Sequence, residues 1–287
     1  MRTIEDIKKL LKEDSNLIHA SNLCTRHKKK DHPTELNEII SQYYDYLQNM
    51  LAVKTTTEAA VRKRVKYLNQ YYDFIHKKGW DNLYNPQTKF RSTIMEEFLY
   101  LLFKNDVDKY RRKYKSTNLL SGSAEAYTNL FFTPRSFENF VTKSDEIGIN
   151  EKDQDYAIYR KFTLTIDNAH SEEIQVPAVA IETKRYIDKT MLDSIIATAE
   201  KLKSGNPYTL FLAVAECYNV DETIDPFYSR IDQIYVLRKT KREDEWKKID
   251  VDVVLRMYND IINYLNRPWS DVAKRLSEEG VIFMKTK

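Results

Sequence analysis

The chain has 287 residues, enough for one large domain or for a domain of roughly 180–200 residues with a smaller one beside it. Lys and Arg total 46 against 43 Asp and Glu, so the formal charge is only +3, which excludes a wholly basic nucleic-acid binder but leaves room for a local basic face. With only Cys24 and Cys217 there is no disulfide scaffold, and a reducing cytoplasm is the expected compartment.

The first ~85 residues read as helical. Ile4, Ile7, Leu10 and Leu11 repeat at helical spacing, as do Leu36, Ile39, Ile40, Tyr43, Tyr44 and Leu47. Thr55–Thr57 can cap a further helix with Val61, Val65, Leu68, Tyr72 and Ile75 on one face, ended by Gly79. Residues 1–85 are therefore expected to form a helical subdomain for DNA binding or dimerisation, and 86–287 the second domain. A helix follows over about 92–103, with Ile94, Phe98, Leu101 and Leu102 as its stripe. Residues 106–150 read as irregular, with a turn at Gly148. They carry the basic run Lys109, Arg111, Arg112, Lys113 and Lys115, interleaved with Tyr110 and Tyr114. That pattern suits phosphate contact, and arginine can read guanine edges; the alternative is a solvated surface.

From Asp155 the period becomes two. Strands are predicted over 156–164 and 176–183, separated by a polar turn. Thr190 is expected to cap a helix running to about Lys203 with Ile195, Ile196, Ala199 and Leu202 as its stripe, stopped by Gly205-Asn206-Pro207. The run 208–215 reads as a strand buried on both faces, and 231–237 as another. Helices over 252–265 and 270–279 close the chain. The expected class is α/β: a mixed sheet flanked by helices, with a helical N-terminal region.

No apolar run, Leu210–Ala215 included, approaches the ~20 residues of a membrane helix, and Met1–Asp14 lacks a signal-peptide core. The five glycines are scattered, so no phosphate-cradling loop can form, which argues against P-loop NTPases, kinases and dinucleotide dehydrogenases. There is neither a G-x-S-x-G elbow nor an H-E-x-x-H pair.

Ligands in such sheets sit at the carboxyl ends of the strands. Glu182 and Lys184 share one face of a predicted strand end, after the small residues Ala178 and Ala180, which leave room for a helix. Asp155 begins the preceding strand. Two converging carboxylates can hold Mg²⁺, which stabilises charge on a scissile phosphate, while the lysine orients a water or neutralises phosphoryl oxygens. Asp6-Ile7-Lys8 and Glu245-Trp246-Lys247 match the same tripeptide pattern without the strand context. The alternative for Glu182 and Lys184 is a surface salt bridge. Glu97, at the border of the 94/98/101 stripe, is expected to reach the metal as a helical acid; Glu96 is the other candidate, and both could equally be solvated. His19, Cys24, His27 and His32 lack a zinc-site spacing and enclose Lys28–Lys30, so a polar basic loop is expected there. His170 has no evident Ser or Cys partner. Most of the 20 tyrosines are expected in the core and at its rim.

Three segments carry a family likeness: Arg91-Ser92-Thr93-Ile94-Met95-Glu96-Glu97-Phe98; Asp153-Gln154-Asp155-Tyr156-Ala157-Ile158; and Val179 through Asp193, which contains Glu182-Thr183-Lys184. They resemble PD-(D/E)xK nucleases, and more narrowly subunits of BbvCI-type type II restriction endonucleases, over about residues 90–240. The resemblance implies Mg²⁺-dependent hydrolysis of DNA leaving 5′-phosphate and 3′-hydroxyl ends. It implies Asp155 and Glu182 as metal ligands, Lys184 as the catalytic lysine and Glu96 or Glu97 as the helical acid. It also implies two related but different subunits on an asymmetric site, each cutting one strand; a homodimer is the other expectation for the partner. Gln154 stands where the fold's name has proline, which keeps Asp153 as a rival to Asp155. The other readings are a structure-selective repair or recombination nuclease of the same fold, and a DNA-binding protein with a decayed nuclease core. Base-reading side chains are expected in 106–135 and 219–230.

Overall fold

A computed structural model describes residues 2–142, 147–166, 170–241, 245–269, 271–280 and 282. Four helices open the chain: α1 (Ile4–Glu13), α2 (Ile18–Lys28), α3 (Pro33–Ala52) and α4 (Glu58–Lys77). The predicted stripes are their buried faces, and Thr57 caps α4 by accepting a hydrogen bond from the Ala60 amide at 3.3 Å.

Helix α5 (Phe90–Tyr114) is about twice as long as its stripe predicts and takes in the basic run as far as Arg112 and Lys113. Lysine and arginine are good helix formers, and cations in the last turn face the negative end of the helix dipole. Strand β1 (Leu119–Phe132) occupies a stretch expected to be irregular. Its inward positions are Gly122, Ala124, Ala126 and Thr128, a true period of two whose small residues give little hydrophobic signal. After α6 (Phe137–Thr142) come β2 (Ile147–Ile166) and β3 (His170–Ile187). Gly148 makes no turn: it pairs with Phe131 inside the sheet, and a Cβ there would strike the Phe131 ring. Part of the expected polar turn, residues 167–169, and the His170 side chain lie outside the described residues. The chain continues through α7 (Lys189–Gly205), β4 (Leu210–Tyr218), β5 (Gln233–Val236), α8 (Val251–Asn266) and α9 (Val272–Glu278). The α7 cap is Asp188, which accepts from the Met191 amide at 2.8 Å; Thr190, the predicted cap, is inside the helix.

The sheet order is β1-β2-β3-β4-β5, with β1, β2 and β3 antiparallel and β3, β4 and β5 parallel. This is the expected mixed α/β sheet between helices. On one face, Ala180, Ala213 and Ala215 let α7 close in through Leu192, Ile195 and Ala199, the room predicted from the alanines. The approach is closest at Gly205, where a Cβ would lie 1.6 Å from the Thr128 carbonyl oxygen. On the other face, Ile181 and Val214 join α5, α8 and the N-terminal helices in one continuous core containing Ile39, Tyr43, Leu68, Phe98 and Tyr258. The expected division near residue 85 therefore runs through shared packing.

Candidate active site

The site is built at the carboxyl end of β3. Lys184 pairs with Ala215 of β4, and the antiparallel register of Tyr156 with Ile181 sets Asp155 across from Glu182. Residues directly opposite in such a pair project to the same side of the sheet. Asp155 Oδ2 accepts from the Thr183 amide at 2.7 Å and the Thr183 hydroxyl at 3.1 Å, which pins the carboxylate against β3. Lys184 Nζ donates to Glu182 Oε1 at 2.6 Å. The two side chains remain 28% and 18% exposed, open enough to be reached by a substrate.

Helix α5 brings Glu96 to this group. Burial, helped by the charge of Asp155, raises the Glu96 carboxyl to about 7 against the opposing pull of Lys89, a Ser92 hydrogen bond and Lys184. Glu97, the expected helical acid, goes elsewhere. It is buried under the start of α2, accepting from the amides of His19 at 2.8 Å and Ala20 at 3.2 Å and from the Tyr43 hydroxyl at 2.7 Å. Burial raises it to about 7 as well, against those hydrogen bonds. The 94/98/101 stripe does not separate the two acids because α5 is covered on two sides, by the sheet and by the N-terminal helices, so each acid enters a protein environment and neither faces open solvent.

Asp153 is exposed, and its charge helps to raise the carboxyl of Glu151. Gln154, in the proline position, is buried and donates to the carbonyls of Lys152 (3.3 Å) and Asp153 (2.8 Å). The N-terminal His and Cys residues do not converge on a metal. His19 is buried with Nδ1 on the Thr93 hydroxyl and Nε2 on the Tyr71 hydroxyl, both at 2.9 Å, and burial lowers its pKa to about 3. The stretch is helix α2 as far as Lys28, and only the four residues after it lie outside a helix.

Two features beside the site had little or no signal in one dimension. Thr183 is one. The other is a buried ionic cluster one residue beyond Ala215: Glu216 accepts from Arg238 Nε at 2.8 Å, Arg91 Nη2 at 3.1 Å and the Tyr72 hydroxyl at 3.0 Å. Burial opposes ionisation of Glu216, but the two guanidiniums outweigh it and hold the carboxyl below its ordinary value. The cluster ties α4, α5, β4 and the chain after β5 together behind the strand ends. A charged residue ending the apolar run 210–215 was its only trace in the sequence.

A sequence model described as Bpu10I restriction endonuclease matches residues 87–246, more than half of the chain and all of the elements that build this site. The chain belongs to the Bpu10I restriction endonuclease family. Among solved structures, a chain of the "native BbvCI A2B2 tetramer at low resolution" superposes with a TM-score of 0.68 at 19% identity, over 89% of this chain and 99% of that one. The shared fold thus includes the N-terminal helices as well as the sheet. No curated protein matches. The expected restriction-endonuclease relationship and the expected fold class are both borne out. Membership makes the chain a nuclease subunit of a restriction system, and among the described residues no helix is long and apolar enough to cross a membrane.

Proposed function

We propose that this chain is a subunit of a type II, site-specific deoxyribonuclease of the PD-(D/E)xK kind that hydrolyses phosphodiesters of duplex DNA with Mg²⁺. The reading is supported by Asp155 lying across from Glu182 at the end of β3, with Lys184 on Glu182 and Glu96 close enough to feel the charges of Asp155 and Lys184.

The donor set fits a hard cation: every candidate ligand is a carboxylate, and Glu96 is forced up partly by the negative charge of Asp155, a repulsion that a divalent ion would relieve. Among the described residues no three His, Cys, Asp or Glu side chains already converge on one point, so Asp155 and Glu182 would supply the site, with Glu96 behind them. Glu97, expected as a ligand, is committed to α2. When bound, the ion would stabilise charge developing on the scissile phosphate. The chain's own contribution is orientation. Thr183 fixes the rotamer of Asp155, Glu182 holds the ammonium of Lys184, and Lys184 directs a water to phosphorus or neutralises a phosphoryl oxygen. Water adds to phosphorus and the bond to the 3′ oxygen breaks. The 3′ oxygen takes up a proton, giving 5′-phosphate and 3′-hydroxyl ends.

The related BbvCI protein is described as an A2B2 tetramer, which supports a partner subunit for this chain, each site cutting one strand. The segment 219–230 leaves the same sheet end and exposes Phe227 and Tyr228, a place for base or backbone contacts. The reducing cytoplasm suits the two free cysteines.

The test is incubation of the protein with plasmid and Mg²⁺, with and without a candidate second subunit, mapping breaks on each strand. Discrete double-strand fragments, converted to nicks on one defined strand by Glu182→Ala in this chain alone, support the reading. A Glu182→Ala protein that cuts at the wild-type rate refutes the site. Smeared cleavage of unrelated duplexes indicates a structure-selective nuclease, and salt-sensitive binding without cleavage under any divalent metal indicates a decayed core.

A further inference from the structure

The basic run does not belong to the site just described. On a helix, Lys109 and Arg112 lie 13 and 16 residues beyond Glu96, which is about 20–24 Å along the axis and roughly 160–220° around it. They fall on the face of α5 that carries Asn105, whose side-chain amide donates to the Val53 carbonyl at 2.9 Å and so holds the loop between α3 and α4. There, Lys54, Lys109, Arg112 and Thr55–Thr57 line a cavity of about 650 Å³. None of the three cations forms an ion pair among the described residues, whereas the neighbouring charges are spent: Lys104 on Asp14, and Asp108 on Arg111 at 3.5 Å. The lining is therefore rich in unspent positive charge and hydroxyls, at the positive end of the 20-residue helix α4.

We propose that this cavity binds backbone phosphates of duplex DNA lying outside the catalytic cleft. Three unpaired cations and three hydroxyls suit phosphate oxygens, and the volume admits a phosphate with its sugar. An acidic peptide would meet the same charge; duplex DNA is favoured because the chain belongs to a family of restriction endonucleases. The proposal rests on the nuclease reading only for the identity of the polyanion, and it can be tested without cleavage.

The experiment is equilibrium binding of the full chain to duplexes of random sequence, 12 and 40 base pairs long (lengths chosen at about one and four helical turns), across a salt series without divalent metal. The Lys109→Gln/Arg112→Gln double variant is expected to weaken binding several-fold and to lower the slope of log K against log salt by about two. Removing two exposed charges elsewhere, Lys28→Gln/Lys29→Gln, should leave the slope as it is. An effect confined to the longer duplex identifies the phosphates as flanking the cleaved site. An effect on the short one, with two duplexes bound per chain reduced to one, identifies a second DNA segment. An unchanged slope overturns the proposal, as does an equal loss in the Lys28/Lys29 control, or polyglutamate binding as tight as DNA of equal charge. Failure of the nuclease reading looks different: the wild type then binds with the predicted slope and still cuts nothing when Mg²⁺ is added.

Discussion

Glu96 and Glu97 are consecutive residues of one helix, both raised to about 7 chiefly by burial, yet they serve opposite sides of the molecule. Glu96 faces the strand ends, where the Asp155 charge adds to its burden and Lys89, the Ser92 hydroxyl and Lys184 offset it only in part. Glu97 faces away and is consumed by structure: two amides at the start of α2 and the Tyr43 hydroxyl take up its oxygens. The difference teaches that a perturbed carboxyl is not by itself a sign of chemistry. What separates the two acids is whether their partners are already satisfied. By that measure Glu216 falls with Glu97, because Arg91, Arg238 and Tyr72 complete it. Glu182 falls with Glu96, half-open and balanced only by Lys184.

The largest effect should come from the open side. Lys184→Ala is expected to slow plasmid cleavage by at least about 10²–10³-fold while the melting temperature stays near that of the wild type; a large drop in melting temperature would move Lys184 to the structural side. Glu97→Ala should do the reverse. It strands two buried amides and a hydroxyl and should destabilise the fold by about 3 kcal/mol in urea titrations, with Glu97→Gln milder. Glu96→Gln should leave stability nearly unchanged and lower cleavage roughly 10–100-fold. If these two exchange outcomes, the assignment of the helical acid is reversed.

Helix α5 holds a third buried acid, Asp106, which accepts from the Tyr258 hydroxyl at 3.0 Å and is raised by burial to about 6. A carboxyl raised on folding holds its proton better in the folded chain. Its contribution is therefore complete below about pH 4 and lost as the pH climbs through 6. Over that interval, stability should fall by on the order of 1–2 kcal/mol on account of this group, and Asp106→Asn should remove that part of the slope in urea midpoints measured from pH 4 to 7. The smallest effect is at the cap of α7, just after the candidate site. Asp188→Ala should cost about 1 kcal/mol, and Thr190→Ala, at the position the sequence favoured, distinctly less.

Alternating hydrophobicity, breakers and caps were enough to locate β3, α7, β4 and α8, because each buries large apolar side chains at a regular period. They also singled out Glu182 and Lys184, since a strand fixes which neighbours share a face. Strand β1 escaped because Gly122, Ala124, Ala126 and Thr128 pack without large side chains. The reach of α5 was hidden by charges that stabilise a helix end as readily as they decorate a loop.

Local pattern along the chain thus determined the class of the fold and the strand end where its acids and lysine gather, since period and propensity act over a few residues. Only the tertiary structure decided which of two adjacent acids turns toward that end, that Thr183 grips Asp155, and that Lys109 and Arg112 lie on the far side of α5. Those outcomes depend on what packs against each face of a helix, and the packing partners of α5 include residues 78 and 152 positions away.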